Sequence, residues 1–151
     1  MLTIYELATR LILSIVLGGF LGWERLRAKK PAGLKTHILV SLGSAVFTII
    51  SFAAVNEIKN VKVTGTIDPT RIAAGIITGI GFLGAGAIIR SGENVLGLTT
   101  AASIWIVAAI GMACGFGLYS LAVIATILVV LSLIVLEKIE EKGEADKKEE
   151  K

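Results

Sequence analysis

Long apolar segments separated by short charged loops account for most of this chain. A helix needs about 20 predominantly apolar residues to cross a bilayer, and five segments approach that length: 5–22, 36–55, 71–89, 98–114 and 118–136. The pattern predicts an all-α, polytopic membrane protein in which about five transmembrane helices form a compact bundle. We assign this transmembrane domain to residues 1–136. The charged tail at 137–151 is expected to continue the last helix briefly and then fray.

One face of the second predicted span is polar. Its members follow one another at intervals of four, three, four and three residues: His37, Ser41, Ser44, Thr48 and Ser51. At 3.6 residues per turn, this spacing places all of them within about a quarter of the helix circumference. Two interpretations stay open. The stripe either packs against neighbouring helices through small side chains that hydrogen-bond locally, or it borders a hydrated crevice between the first four spans.

Glycines are concentrated in the first and third predicted spans, where they let two helix backbones approach closely. The candidate packing glycines are Gly18 and Gly22 in the first span and, on two faces of the third, Gly75, Gly79, Gly81, Gly84 and Gly86. The two faces predict that neighbouring helices grip the third span from both sides. The alternative is that this helix unwinds to expose backbone groups to a bound ion.

Polar and small residues distinguish the last two predicted spans. Those of the fourth span fall on one side of the helix: Thr99, Thr100, Ser103, Gly111 and Cys114. In the fifth span they are scattered around the circumference. We therefore expect the fifth helix to face lipid and to shield the others.

Composition agrees with a membrane protein, and the placement of charge adds an orientation. Of the 151 residues, 54% are hydrophobic and 18% are charged, below the quarter that is usual for soluble domains. The loop at 23–35 holds five basic residues against one acidic residue, and basic loops stay on the cytoplasmic side. This predicts an external N-terminus, a cytoplasmic C-terminus, and contacts of the basic loop with phospholipid. The single cysteine excludes an intramolecular disulfide.

Asp68 is an ionisable residue near membrane depth, where charges are costly and mark candidate functional sites. It precedes Pro69 at the start of the third predicted helix, which suits an N-capping role. The alternative is a carboxylate at the external mouth of a polar crevice that binds a cation or a proton. With Glu57 it forms the one candidate external pair for Mg²⁺, which prefers oxygen ligands.

Two further pairs of charges lie at the ends of the first span. Glu6 and Arg10 are four residues apart, so we predict an ion pair on one helix face. Glu24 and Arg25 follow the span directly. We expect them to contact lipid headgroups or to bridge two helices.

Three other polar or aromatic residues have structural and functional interpretations. His37, the only histidine, is expected to hydrogen-bond at a helix end. Asn94 lies in a tight turn at 92–97 and either serves that turn or recognises a partner or ligand. Trp105 is too central for an interfacial aromatic belt, which predicts core packing. The sequence has no Walker loop, nucleophile elbow or zinc pattern, so we predict no enzyme, no cofactor and no nucleic-acid partner.

Several sequence blocks, taken in chain order, carry a resemblance to a known family. They are Glu6 with Arg10-Leu11, Gly22-Trp23-Glu24-Arg25, Ala32-Gly33-Leu34-Lys35-Thr36-His37, Asp68-Pro69-Thr70-Arg71, GIGFLGAG at 79–86, and GLTTAA at 97–102 with Trp105. Over about residues 5–120 the chain resembles the MgtC/SapB family of bacterial inner-membrane proteins. Lys35 stands where arginine is expected, which keeps the charge but loses the planar fork. Some members carry a soluble C-terminal domain; here the sequence has the mostly charged stretch at 137–151, so we do not carry over functions of that domain.

The resemblance implies a role in growth under magnesium limitation and, in pathogens, in survival inside phagocytes. Our leading hypothesis is a membrane modulator of magnesium or proton-motive homeostasis that acts through helix contacts, as a homodimer or with a partner such as ATP synthase. The alternative is a transporter or channel for Mg²⁺ or H⁺, with Asp68 at its entrance; a passive scaffold is a third reading. The candidate functional residues are Glu6, Arg10, Glu24, Arg25, Thr36, His37, Ser41, Ser44, Asp68, Arg71, Asn94, Thr99, Thr100 and Trp105.

Overall fold

Five helices and one short β-hairpin form the part of the chain that the computed structural model describes, residues 2–60 and 70–149. The elements are α1 (Ile4–Arg27), α2 (Leu34–Asn60), α3 (Thr70–Gly86), β1 (Ile89–Ser91), β2 (Asn94–Leu96), α4 (Leu98–Phe116) and α5 (Tyr119–Glu149). Four helices, α1, α2, α4 and α5, are long and apolar enough to cross a membrane. The predicted all-α, multi-pass membrane class is therefore confirmed.

The first helix is longer than its apolar segment. The sequence places a loop from residue 23 onward, but α1 continues through Arg27, and the amide of Ala28 still donates to the Glu24 carbonyl at 3.0 Å. Arginine and leucine are good helix formers, so the helix extends past the point where hydrophobicity falls. The loop between α1 and α2 is accordingly shorter than predicted, at 28–33.

The contact between α1 and α2 depends on two glycines one turn apart. A Cβ added to Gly18 would lie 2.7 Å from the Cβ of Ser41, and one added to Gly22 would lie 2.8 Å from the Cα of Leu34. Real Cβ atoms do not come this close to other carbon atoms. The GxxxG pair thus places the two backbones nearer than any larger residue allows.

Helix α4 packs against α2 in the same manner. A Cβ added to Gly115 would lie 2.7 Å from both the Ala45 carbonyl oxygen and the Cβ of Thr48. At Gly111 it would overlap the backbone carbonyl of Ser41. Because α2 packs closely against both α1 and α4, these three helices form the centre of the bundle.

The third helix lies outside this centre. Its apolar part, Ala73–Gly86, is shorter than the four spans, and Gly84 lies against α4, where a Cβ would be 3.7 Å from the Cβ of Ala101. A Cβ added to any of the other four glycines would have no neighbour within 4 Å among the described residues: Gly75, Gly79, Gly81 and Gly86. The prediction that neighbours grip α3 from both sides is therefore wrong within a single chain.

A β-hairpin replaces the end of the third predicted span and the tight turn after it. Strand β1 pairs antiparallel with β2, with Ile89 opposite Leu96 and Ser91 opposite Asn94. Gly97 has a φ of 88°, and a Cβ there would overlap the Ala87 carbonyl oxygen, so this junction with α4 requires glycine. Strands of three residues are too short to show a period of two, which is why the sequence did not reveal them.

The last helix extends far beyond its apolar part. It remains helical through Glu149, so the prediction that the charged tail frays soon after residue 136 is wrong. Lysine and glutamate favour helices, and pairs of opposite charge four residues apart stabilise them further. Only 11% of its apolar window is buried, the lowest share among the four spans. This exposure agrees with the prediction that α5 faces lipid, which stays a prediction.

Two contacts show which parts of α1, α4 and α5 lie at the same end of the bundle. Arg10, near the start of α1, reaches Gly115 near the end of α4, and Lys30, just after α1, pairs with Glu137 in the second half of α5. The loop at 28–33 and the charged end of α5 therefore share one end of the bundle, which we call the basic end. The predicted external N-terminus and cytoplasmic C-terminus stay predictions.

We predict that Gly111→Ala lowers the free energy of unfolding by about 1–3 kcal/mol, because a methyl group forced into a filled space displaces the α2 backbone. Gly81→Ala is the control, since a Cβ there has no described neighbour within 4 Å. The control should be neutral or stabilising by up to about 1 kcal/mol, as expected for alanine in place of glycine in a helix. Unfolding of the purified protein in detergent measures both, and equal stabilities would contradict the packing described above.

Candidate functional site: a buried polar seam

The polar stripe of α2 is buried along its whole length. Its side chains are no more than 3% exposed. Facing them, Ser14 of α1 and Ser103 of α4 are also buried. We call the polar seam the set His37, Ser41, Ser44, Thr48 and Ser51 of α2 together with Ser14, Thr100 and Ser103.

His37 connects the seam to α4. Its Nδ1 lies 2.9 Å from the Gly33 carbonyl oxygen, and its Nε2 lies 3.1 Å from the Oγ of Ser103. The hydroxyl of Ser103 also donates to the Thr100 carbonyl at 2.8 Å. The histidine therefore has a hydrogen-bond partner at each ring nitrogen, and it links the starts of α2 and α4.

Two other hydroxyl groups of the seam donate to the backbone of their own helix. Thr48 donates to the Ser44 carbonyl at 2.8 Å, and Ser14 donates to the Leu11 carbonyl at 2.7 Å. The Oγ of Ser41 is buried and has no hydrogen-bond partner among the described residues, and Gly18 and Gly111 press against this serine. In this conformation the seam is a close helix contact without room for a column of water.

Arg10 and Glu6 do not bind each other, so the predicted ion pair is wrong. Glu6 completes a capping box with Thr3, whose amide donates to a Glu6 carboxylate oxygen at 2.7 Å. Arg10 donates to the Gly115 carbonyl oxygen at 2.6 Å. The first amides and the last carbonyls of a helix have no partner within its own hydrogen-bond ladder, and Glu6 and Arg10 bind such groups instead of each other. Arg10 thereby joins α1 to α4.

Glu24 and Arg25 form a buried ion pair between neighbours in sequence. Their carboxylate and guanidinium meet at 2.5 and 2.6 Å, and the residues are 7% and 1% exposed. The predicted alternatives, lipid contact or a bridge between helices, are both wrong. Since a buried charge without a partner is strongly destabilising, each residue keeps the other in place.

The remaining candidates are distributed over different surfaces. Thr100 is buried, whereas the rest are exposed: Thr36, Arg71, Asn94, Thr99 and Trp105. The prediction that Trp105 packs in the core is therefore wrong. The inner face of α4 follows Thr100, Ser103 and Val107, and Trp105 lies on the other side of the helix. Thr99 lies close to this inner face but is exposed in the first turn of α4.

A groove between α2 and α3 brings four of the sequence candidates together. It has a volume of about 490 Å³ and is lined by Ser44, Arg71, Gly75 and Gly79 with apolar neighbours such as Phe47. The groove is mostly apolar. It places the glycine face of α3 beside the middle of the polar seam.

No metal centre is found within the described ranges, where no three His, Cys, Asp or Glu residues lie together. Asp68 lies outside the described residues. Its roles as a helix cap or a magnesium ligand therefore stay predictions.

Gly115 and the buried position of Arg25 are features that the sequence analysis missed. Gly111 and Gly115 have the GxxxG spacing, so the same rule that identified Gly18 and Gly22 applies to them. The spacing of the first span does separate Arg25 from its exposed neighbour Arg27, because Arg25 continues the helix face of Ser14, Gly18 and Gly22. Its burial was not predicted, since basic residues at the end of an apolar helix usually face lipid headgroups.

Comparison with known proteins places these features in a family context. The sequence model of the MgtC family matches residues 11–142. The chain is 46% identical over 132 residues to the putative magnesium transporter YhiD of Escherichia coli K12, a match that covers 87% of this chain and 60% of the relative. No solved structure matches it.

Proteins named MgtC give similar matches. The chain is 45% identical over 117 residues to protein MgtC of Brucella abortus, covering 78% of this chain and 45% of the relative. It is 43% identical over 128 residues to protein MgtC of Salmonella typhimurium, covering 85% of this chain and 51% of the relative. This chain thus spans about half the length of the curated relatives it matches.

We predict that Glu24→Gln lowers the free energy of unfolding by about 3–5 kcal/mol, because it leaves the Arg25 guanidinium buried without its carboxylate. The control is Glu137→Gln, which breaks the Lys30–Glu137 pair, whose side chains are 40% and 30% exposed. Exposed pairs contribute about 1 kcal/mol or less. Unfolding of the purified variants in detergent measures both free energies. A loss of unfolding free energy that is no greater for Glu24→Gln than for the control would refute the structural role of the buried pair.

Proposed function

We propose that this protein, which belongs to the MgtC family, modulates magnesium homeostasis from the bacterial inner membrane through helix contacts with a protein partner. The role in proton-motive balance or ATP synthase regulation belongs to the same proposal. It involves no catalytic step. The family match and the four apolar helices give a less specific description, that of a multi-pass membrane protein of this family.

The observation that supports a modulator most directly is the closure of the polar seam. A transport path needs polar groups that face water or the transported ion. Here the hydroxyls of Ser14, Thr48 and Ser103 donate to nearby backbone carbonyls, and glycines of α1 and α4 close the space beside Ser41. These features favour a role in helix association.

A second observation supplies the contact surface. Gly75, Gly79 and Gly86 lie on the side of α3 away from Gly84, the glycine that meets α4. A smooth glycine face is the kind of surface on which a second transmembrane helix packs closely. We propose that this face, together with the groove beside Ser44, receives a helix of a second copy or of another membrane protein.

Direct transport is the second candidate, and one finding favours it. The relative from Escherichia coli is named a putative magnesium transporter. In that case the chain would carry Mg²⁺ or H⁺ in a conformation that opens the polar seam, with Asp68 at the entrance.

Flux measurements separate the two candidates. We expect liposomes that contain the purified protein to hold an imposed Mg²⁺ gradient and an imposed pH gradient as long as protein-free liposomes do, because the seam is closed. Entrapped Mg²⁺-sensitive and pH-sensitive dyes report both gradients. Rapid dissipation of either gradient would contradict the modulator proposal, and its abolition by Asp68→Asn would support transport.

We predict that Gly79→Leu removes the ability of the protein to support growth at low Mg²⁺ in a host that lacks its own copy, while the stability of the purified protein is unchanged. The leucine side chain fills the open face of α3 and blocks a partner helix, but a Cβ there meets no described atom within 4 Å.

Gly43→Leu in α2 is the matched control, since a Cβ at Gly43 also has open space around it. It should leave growth and stability intact. If Gly79→Leu supported growth as well as the control does, the proposed contact face would be wrong. Light scattering of the detergent-solubilised protein tests whether the partner is a second copy, because Gly79→Leu should then convert a dimer to a monomer.

A further inference from the structure

A second groove lies between α1 and α5 at the basic end of the bundle. We call it the α1–α5 groove; its volume is about 590 Å³. Its apolar wall consists of Phe20 and Trp23 of α1 with Val130 and Ile134 of α5. Phe20 and Trp23 are 57% and 51% exposed, so the wall is open to the surrounding membrane.

Three cations lie beyond the apolar wall, toward the end of the bundle: Arg27, Lys29 and Lys138. The groove also contains the carboxylates of Glu24 and Glu137, but both are already neutralised. Glu24 is bound by Arg25, and Glu137 is bound by Lys30 at 3.0 Å. Among the residues that the structure describes, none of the three cations forms an ion pair, so an excess of positive charge faces the groove.

Trp23 and Arg27 of this groove lie on one face of α1, four residues apart. The guanidinium carbon of Arg27 lies 5.2 Å from the ring centroid of Trp23. This cation–π contact holds Arg27 beside the aromatic wall. Tryptophan and arginine together are typical of the level at which lipid headgroups meet the hydrocarbon core.

Lys29 occupies a backbone conformation that favours glycine. Its φ is 54°, and it ends α1 in a motif in which the Lys30 amide donates to the Arg25 carbonyl and the Lys29 amide donates to the Leu26 carbonyl. Helices that end in this way usually have glycine at this position, because other side chains are strained there. The lysine is retained despite the strain, and its side chain adds a charge to the groove.

We propose that the α1–α5 groove binds an anionic phospholipid, with the acyl chains along Phe20, Val130 and Ile134 and the phosphate among Arg27, Lys29 and Lys138. Basic pockets between transmembrane helices suit such headgroups. A free anion would use the cations alone and leave the apolar wall unexplained, whereas a phospholipid matches both halves of the groove in the order in which they occur. This site goes beyond the proposed modulator function and does not depend on it.

Tryptophan fluorescence tests the site at the residue that lines it. The chain has two tryptophans, so Trp105→Phe leaves Trp23 as the only one. The variant is reconstituted in phosphatidylcholine bilayers in which a small fraction of the lipid carries brominated acyl chains, on either phosphatidylglycerol or phosphatidylcholine. We expect brominated phosphatidylglycerol to quench Trp23 at a lower mole fraction than brominated phosphatidylcholine does.

In the same background, the groove variant combines Arg27→Gln, Lys29→Gln and Lys138→Gln. The preference for phosphatidylglycerol over phosphatidylcholine should fall by up to about fivefold for each cation removed, and high salt should weaken the preference of the parent. A charge-matched control combines Lys35→Gln, Arg90→Gln and Lys142→Gln, all exposed and outside the groove.

The control should keep the preference of the parent. Equal quenching by the two brominated lipids in the parent would overturn the proposal and assign the groove to a protein segment or to bulk lipid. Equal losses in the groove variant and the control would also overturn it, because a general attraction of the charged surface would then account for the effect. Circular dichroism confirms that each variant is folded before quenching is compared.

Discussion

The close approach of the α2 backbone to α1 and α4 is the constraint on which the rest of the structure depends. Inside a bilayer, burial of apolar surface does not drive helices together, so association relies on close packing and on hydrogen bonds. Gly18, Gly22, Gly111 and Gly115 make this packing available. Where the backbones are this close, a buried hydroxyl depends on partners within the protein, and Ser41 finds none among the described residues. The backbone carbonyl one turn earlier is the partner of Thr48.

The same constraint explains which parts of the fold the sequence could predict. Four of the five predicted spans followed from their length and hydropathy, and the inner face of α2 followed from the periodicity of its polar residues. Both signals are local and repeat within one helix. The orientation of Trp105 could not be found in this way, because a helix between protein and lipid is apolar on both sides and its periodicity does not identify the inner face. The open glycine face of α3 is a similar case. Glycine spacing indicates that another helix is able to pack closely there, but it does not identify that helix.

Charged residues were predicted least well, for a physical reason. Sequence spacing identifies the nearest opposite charge, whereas the structure offers other acceptors that sequence does not show. Arg10 binds a carbonyl at the end of α4 instead of Glu6, and Glu24 turns to its direct neighbour. The sequence thus predicts which helix faces carry the candidate site. The hydrogen-bond and ion-pair partners within the site depend on the relative positions of three helices, which the sequence does not show.

The position of α3 outside the centre of the bundle affects which substitutions the fold tolerates. Its outer glycines touch no other described part of the chain, whereas those of α1 and α4 are fixed by α2. Sequence drift on the exposed side of α3 is therefore nearly free of folding cost, while drift along the inner helices is not. A substitution on this one helix therefore changes the surface that the protein presents to the membrane, while the framework of the other four helices stays as it is.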